Sequence, residues 1–105
     1  MDFKAMGANL GLDEDEFREL IDLFMETGQS DYDSLQTALA GGDSKAAAQY
    51  AHTLSGASGN LGLMELHEAA KRIEAAAMDG DVDAASAQAA GMEEMFSAIA
   101  DFVGG

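Results

Sequence analysis

Apolar residues recur every three or four positions in four separate stretches of this chain. Phe17, Leu20, Ile21 and Phe24 make the first stripe, and Ala47, Tyr50, Ala51, Leu54, Ala57, Ser58 and Leu61 gather on one face of the second. Leu63, Leu66, Ala70, Ile73 and Ala77 make the third, and Ala85, Ala89, Met92, Phe96, Ile99 and Val103 the fourth. That spacing matches a helix of 3.6 residues per turn, and each apolar stripe needs another to cover it. Alanine is abundant, β-branched and aromatic residues are sparse, and no proline forces a break, so the expected class is all-α. Steps of four and three in the last stripe suit helices packed nearly parallel or antiparallel. Short connections between the stripes imply an antiparallel bundle. A chain of 105 residues makes one such domain.

Residues 1–11 are expected to stand apart as an N-terminal segment, with Phe3 and Met6 suited to a short extra helix; residues 12–105 form the bundle. Leu12-Asp13-Glu14-Asp15-Glu16-Phe17 reads as a helix start. Asp13 can cap, Glu16 can complete a capping box, and Leu12 with Phe17 can staple the entry. Gly28-Gln29-Ser30 admits two readings: a break followed by a second start at Ser30 and Asp33, or one long helix bent near Gly28. Gly41-Gly42 ends that region and Asp43 caps the next helix, which stops near Gly59-Asn60-Leu61-Gly62. Asp79-Gly80-Asp81 is a turn. With Val82 and Asp83 it resembles the opening of a calcium loop, but the required Gly and Glu positions hold Ala84 and Ala90, so the turn-and-cap reading is preferred.

Twenty acidic residues stand against 5 basic ones, for a net charge of −15. Such a surface repels phosphate backbones and anionic lipids, which argues against nucleic acid or a membrane as partner. No cysteine is present, so disulfides, thiol chemistry and thiolate metal sites are excluded. The N-terminus lacks a signal-peptide core and no run is long enough to span a bilayer. A soluble, monomeric, cytoplasmic domain is expected. The seven methionines fall at helical spacings and are expected mostly to fill the core.

The stretch Asp43 to Leu61 carries the candidate chemistry. Opposite its apolar stripe lie Lys45, Ala48, Gln49, His52, Ser55, Gly56 and Gly59. His52 is thus expected in solvent, with small neighbours one turn away on either side. Two glycines inside a helix cost stability, which suggests that something must approach closely. From Ser44 to Met64 the only formally charged side chain is Lys45. An acid-free window around a nucleophilic ring is what an incoming phosphoryl group needs. The other histidine, His67, reads as a helix-surface residue, and two histidines without convergent acids make a poor metal site.

Ala51-His52-Thr53-Leu54-Ser55-Gly56, followed by Gly59-Asn60-Leu61-Gly62, resembles the histidine-containing phosphotransfer (HPt) domain of bacterial multistep phosphorelays. The family pattern is a His, usually a Lys three residues on, Gly at four, and a Gly closing the helix. Leu12-Asp13, the approach Ala38-Leu39-Ala40-Gly41-Gly42-Asp43, and Leu66 with Glu74 extend the likeness over nearly the whole chain. The resemblance implies an all-α, antiparallel four-helix bundle that acts as a phosphorelay intermediate in two-component signalling. Its His52 would accept phosphate from an aspartyl-phosphate receiver domain and pass it to another receiver. It also implies no kinase activity of its own, no cofactor on this chain, and Mg²⁺ held by the partner receiver. Expected partners are a response-regulator receiver domain and a sensor or hybrid histidine kinase.

One departure stands out: the usual Lys is Ser55 here. Lys45 lies about 10 Å back along the helix and leans away from His52. The expected phosphate environment is therefore Ser55, Gln49, Gly56 and Gly59, with Lys71 or Arg72 or the partner supplying the missing charge. Tyr50, Leu54, Leu66, Ile73, Phe96 and Ile99 are expected in the core. An alternative is an interaction module of the same fold that docks a receiver or kinase domain without phosphoryl transfer. A helical dimerisation module, indifferent to His52, is a third.

Overall fold

The computed structural model describes residues 2–104. Met1 and Gly105, the outer bounds of the two expected segments, lie outside the described residues. Among those described there are six helices and no strand: α1 (Phe3–Asn9), α2 (Glu14–Ala40), α3 (Ser44–Asn60), α4 (Met64–Met78), α5 (Val82–Ala90) and α6 (Met92–Gly104).

The helix starts follow the caps. Asp13 accepts from the Glu16 amide at 2.8 Å, and the Glu16 carboxylate accepts from the Asp13 amide at 3.1 Å. This reciprocal box satisfies two donors that the first helical turn would leave orphaned. Asp43 and Asp81 cap α3 and α5 in the simpler way, accepting from Ala46 and Ala84. The Asp79–Asp83 stretch is thus turn and cap, and among the described residues no cluster of His and acids could hold a metal ion. Gly42 and Gly62 close α2 and α3 at φ +72° and +75°, where a side chain would be strained.

The Gly28 question resolves as one unbroken helix. Phe17, Ile21, Phe24, Gly28, Tyr32, Leu35 and Leu39 form its buried stripe. Gly28 is a packing residue. A Cβ there would come within 2.9 Å of the Phe24 ring, which lies parallel to Phe96 at 6.4 Å. The last apolar stripe, expected on one helix, is instead divided at Gly91 into α5 and α6. The Gly91 amide donates to Gln88 O at 3.2 Å, a tightened turn that glycine's low helix preference permits. Ala85, Ala89, Met92, Phe96 and Ile99 are nevertheless all buried.

α3 packs between α2 and α4, α4 packs on α5, and α6 returns against α2. The body measures 41 × 21 × 17 Å, and a helix the length of α2 spans about 40 Å, so α2 runs its full length. Tyr32 ties α2 to α5: its hydroxyl donates to Ala89 O at 2.7 Å and accepts from the Gln36 amide at 3.2 Å. Burial first, then the nearby Glu93 and Asp33 charges, raise the Tyr32 pKa above its ordinary value of 10.0. At one end Phe3 stacks on Phe102 at 4.3 Å. Arg18 lies over the same ring at 5.0 Å and donates to Phe102 O at 3.2 Å.

Leu54, Leu66, Ile73, Phe96 and Ile99 are buried as expected, but Tyr50 is not a core residue: it is 36% exposed. The buried positions of α3 are Ala47, Ala51, Leu54, Ser55 and Ser58. α3 is covered by two helices, so its buried arc turns toward α4 and takes in Ser55 while Tyr50 falls at the edge.

Candidate functional site

α3 leaves one arc uncovered, and His52 stands on it with its side chain 74% exposed. The Leu61–Leu63 turn folds α4 back along α3, so residues nearly equidistant from it meet. His52 meets Glu74, and Gly59 meets His67. His52 Nδ1 is 2.9 Å from Glu74 Oε2, and the Glu74 side chain is only 23% exposed. A carboxylate can only accept, so the proton of this bond sits on Nδ1. The lone pair of a neutral ring is then on Nε2, the nitrogen far from the backbone. The acid-free window read along α3 therefore does not hold in three dimensions, because α4 brings a carboxylate to the ring.

An open groove of about 740 Å³ runs beside His52, lined by residues of α3 and α4. Ala48 and Ala77 keep it wide, Gln49, Thr53 and Lys45 line its α3 side, and Glu74 and Met78 its α4 side. Met78 is 72% exposed; it is one of the methionines that does not fill the core. Gln49 is exposed, and its backbone carbonyl accepts from the Thr53 hydroxyl at 3.1 Å.

The other expected site residues divide. Gly56 is exposed, and a Cβ on it would meet nothing within 4 Å, so the side of His52 toward the end of α3 is open. Ser55 is corrected: it is 5% exposed and its hydroxyl donates to His52 O at 2.8 Å, turned inward and away from the imidazole. Gly59 is corrected too. A Cβ there would come within 2.9 Å of His67 Nδ1, so this glycine makes room for a ring of α4 rather than for an incoming group. His67 is half-buried instead of on the surface, and its Nδ1–H donates to Ser55 O at 2.6 Å. Lys71 is exposed on α4, one turn before Glu74, and is not among the residues lining the groove.

Glu74 is the site residue that sequence reasoning missed. It was legible as part of the helix layout, and its place opposite His52 follows only from the tightness of the α3–α4 turn. Counting outward from Leu61–Leu63 would have found it.

Among the described residues, no helix is long and apolar enough to cross a membrane. Comparison with curated proteins and with solved structures gave no significant match. A family model described as the Hpt domain matches residues 19–102. Since that match covers most of the length, the chain belongs to the Hpt domain family, whose members are phosphocarrier modules of two-component phosphorelays.

Proposed function

We propose that His52 is the phosphoacceptor of a phosphorelay intermediate. The observation that carries this reading is the bare imidazole whose Nδ1 is held by Glu74 at 2.9 Å, leaving Nε2 open beside a groove floored by alanines. In the proposed step the Nε2 lone pair attacks the phosphorus of a receiver's aspartyl phosphate. The Nε2–P bond forms, the P–O bond to the aspartate breaks, and the carboxylate leaves with the electron pair. The ring keeps its Nδ1 proton and becomes cationic, and the Glu74 carboxylate balances that charge. Glu74 acts as a positioning residue. Gly56 clears the approach, Gln49 offers an amide from the groove, and Lys71 supplies a mobile positive charge from α4. Mg²⁺ belongs to the partner receiver, and a response regulator and a sensor or hybrid histidine kinase are the proposed partners.

In the same reading, α2, α3, α4 and the α5–α6 pair are the four members of an antiparallel bundle, residues 12–105, with residues 1–11 as an added segment. The protein acts as a cytoplasmic monomer. The test is incubation with a phosphorylated receiver domain. Acid-labile, base-stable label is expected on the wild type and is expected to vanish in His52→Gln. Label that survives the substitution would sink the assignment. One observation favours a second reading, a module that docks a receiver without transfer: the Ser55 hydroxyl is turned inward and gives a phosphoryl group nothing to bind. That reading predicts receiver binding with no label at all.

A further inference from the structure

We infer that His67 is a positioning residue for the His52 imidazole. It pins α4 to the backbone of α3 in the register that brings Glu74 to His52 Nδ1, and so decides which ring nitrogen of His52 carries the lone pair. This rests on the proposed role of His52 as acceptor and adds to it the residue that holds the ring ready.

The need for a pin follows from the interface. The buried residues of α3 and α4 are mostly small, with Ala47, Ala51, Ser55 and Ser58 on one helix and Ala69, Ala70 and Ala77 on the other. Small side chains let helices approach but interlock weakly against sliding. One residue of slip moves a helix about 1.5 Å along its axis, enough to break the 2.9 Å bond from His52 to Glu74. His67, two turns before Glu74 on α4, supplies a second bond between the two helices. Its Nδ1–H donates to Ser55 O at 2.6 Å.

The place of that bond is specific. Helix carbonyls point toward the C-terminus, so Ser55 O lies near the level of Gly59. A Cβ on Gly59 would come within 2.9 Å of His67 Nδ1 and 3.2 Å of its Cε1, so this glycine is what admits the ring to the carbonyl. Ser55 is 5% exposed, and a bond to it is shielded from water and does not depend on the charge of the His52 ring. Ser55 also turns its hydroxyl to His52 O at 2.8 Å, so the residue that His67 grips is bonded to the backbone of the acceptor itself. His67 acts through Glu74. The proton of a neutral imidazole goes to the nitrogen whose partner accepts it. With Glu74 in place that nitrogen is Nδ1. With α4 out of register the proton is free to occupy Nε2, the atom that must attack.

The experiment uses the whole protein and reads the tautomer of His52 from its ring-nitrogen NMR shifts, in mildly alkaline solution where imidazoles are neutral. Labelling by phosphoramidate is followed in parallel. His67→Asn keeps an N–H donor close to where Nδ1 stood. His67→Leu keeps bulk against Gly59 without a donor, and His67→Ala removes both. The wild type and His67→Asn are expected to show the Nδ1–H form of His52. His67→Leu and His67→Ala are expected to show a mixture with the Nε2–H form, and to take label about three- to tenfold more slowly. In a Glu74→Ala background, His67→Leu is expected to slow labelling no further. The inference is overturned if either donor-less variant, shown to be folded by circular dichroism, keeps the Nδ1–H form and the wild-type rate. It is overturned equally if His67→Asn behaves like His67→Leu, or if His67→Leu slows labelling further without Glu74. Absence of label on the wild type, or label persisting in His52→Gln, would instead overturn the acceptor assignment itself, and the tautomer readout does not depend on it.

Discussion

The two sides of this molecule are built from different materials. Where α2 meets α6, aromatic rings fill the space: Phe24 lies parallel to Phe96 at 6.4 Å, and Tyr32 packs on Phe96 at 4.9 Å. Where α3 meets α4 the buried residues are mostly small, with Ala47, Ala51, Ser55 and Ser58 on one helix and Ala69, Ala70 and Ala77 on the other. Large rings bury much apolar area per residue and can anchor the fold. Small residues let two helices approach until polar side chains bridge them, as His52 does to Glu74 and His67 to Ser55 O. Stability is concentrated on one side, and the other is left to present a ring to solvent.

That division can be broken first on the aromatic side. Phe96→Ala removes the ring shared by Phe24 and Tyr32 and should cost about 3–5 kcal/mol, measured by denaturant unfolding. The His52–Glu74 face should be unchanged in the molecules that remain folded. A loss as small as that of a surface residue would show that the aromatic side does not anchor the fold.

Two glycines sharpen the contrast on the small-residue side. Gly59→Ala pushes a methyl group into His67 and should destabilise by about 1–3 kcal/mol. In a His67→Ala background the same change should be neutral or better. Gly56→Ala meets open space and should stabilise by roughly 0.5–1 kcal/mol. Equal effects at the two positions would mean that the fit of His67 against Gly59 is unimportant.

The smallest expected effect is that of the Tyr32 hydroxyl. Tyr32→Phe should cost about 1 kcal/mol at neutral pH. The folded-state pKa is raised above 10.0, so the unfolded phenol loses its proton first. The stabilisation is complete below about pH 10 and is lost as pH rises through the folded-state value. The wild type should therefore lose stability steeply on the alkaline side, and Tyr32→Phe should lose less. Parallel alkaline limbs for the two proteins would remove this role for Tyr32.

The elements legible in the sequence were those with local signals. The capping box at Asp13, the Asp43 cap and the exposed face of His52 all depend on residues within a turn or two. Gly28 was ambiguous because glycine marks both a helix break and a close approach, and only the position of the Phe24 ring tells them apart. Ser55 and Tyr50 were misplaced because a single stripe was assumed for α3, which is covered by two helices and so buries a wider arc. Glu74 and His67 belong to a register between helices, and that register is set by a turn, not by periodicity.

The stacking of Phe3 on Phe102 has a consequence for how the helices fray. It ties α1 to α6 ring against ring, and Arg18 grips Phe102 through its carbonyl. The two helices are therefore expected to loosen together, with hydrogen exchange rising in both when either ring is removed.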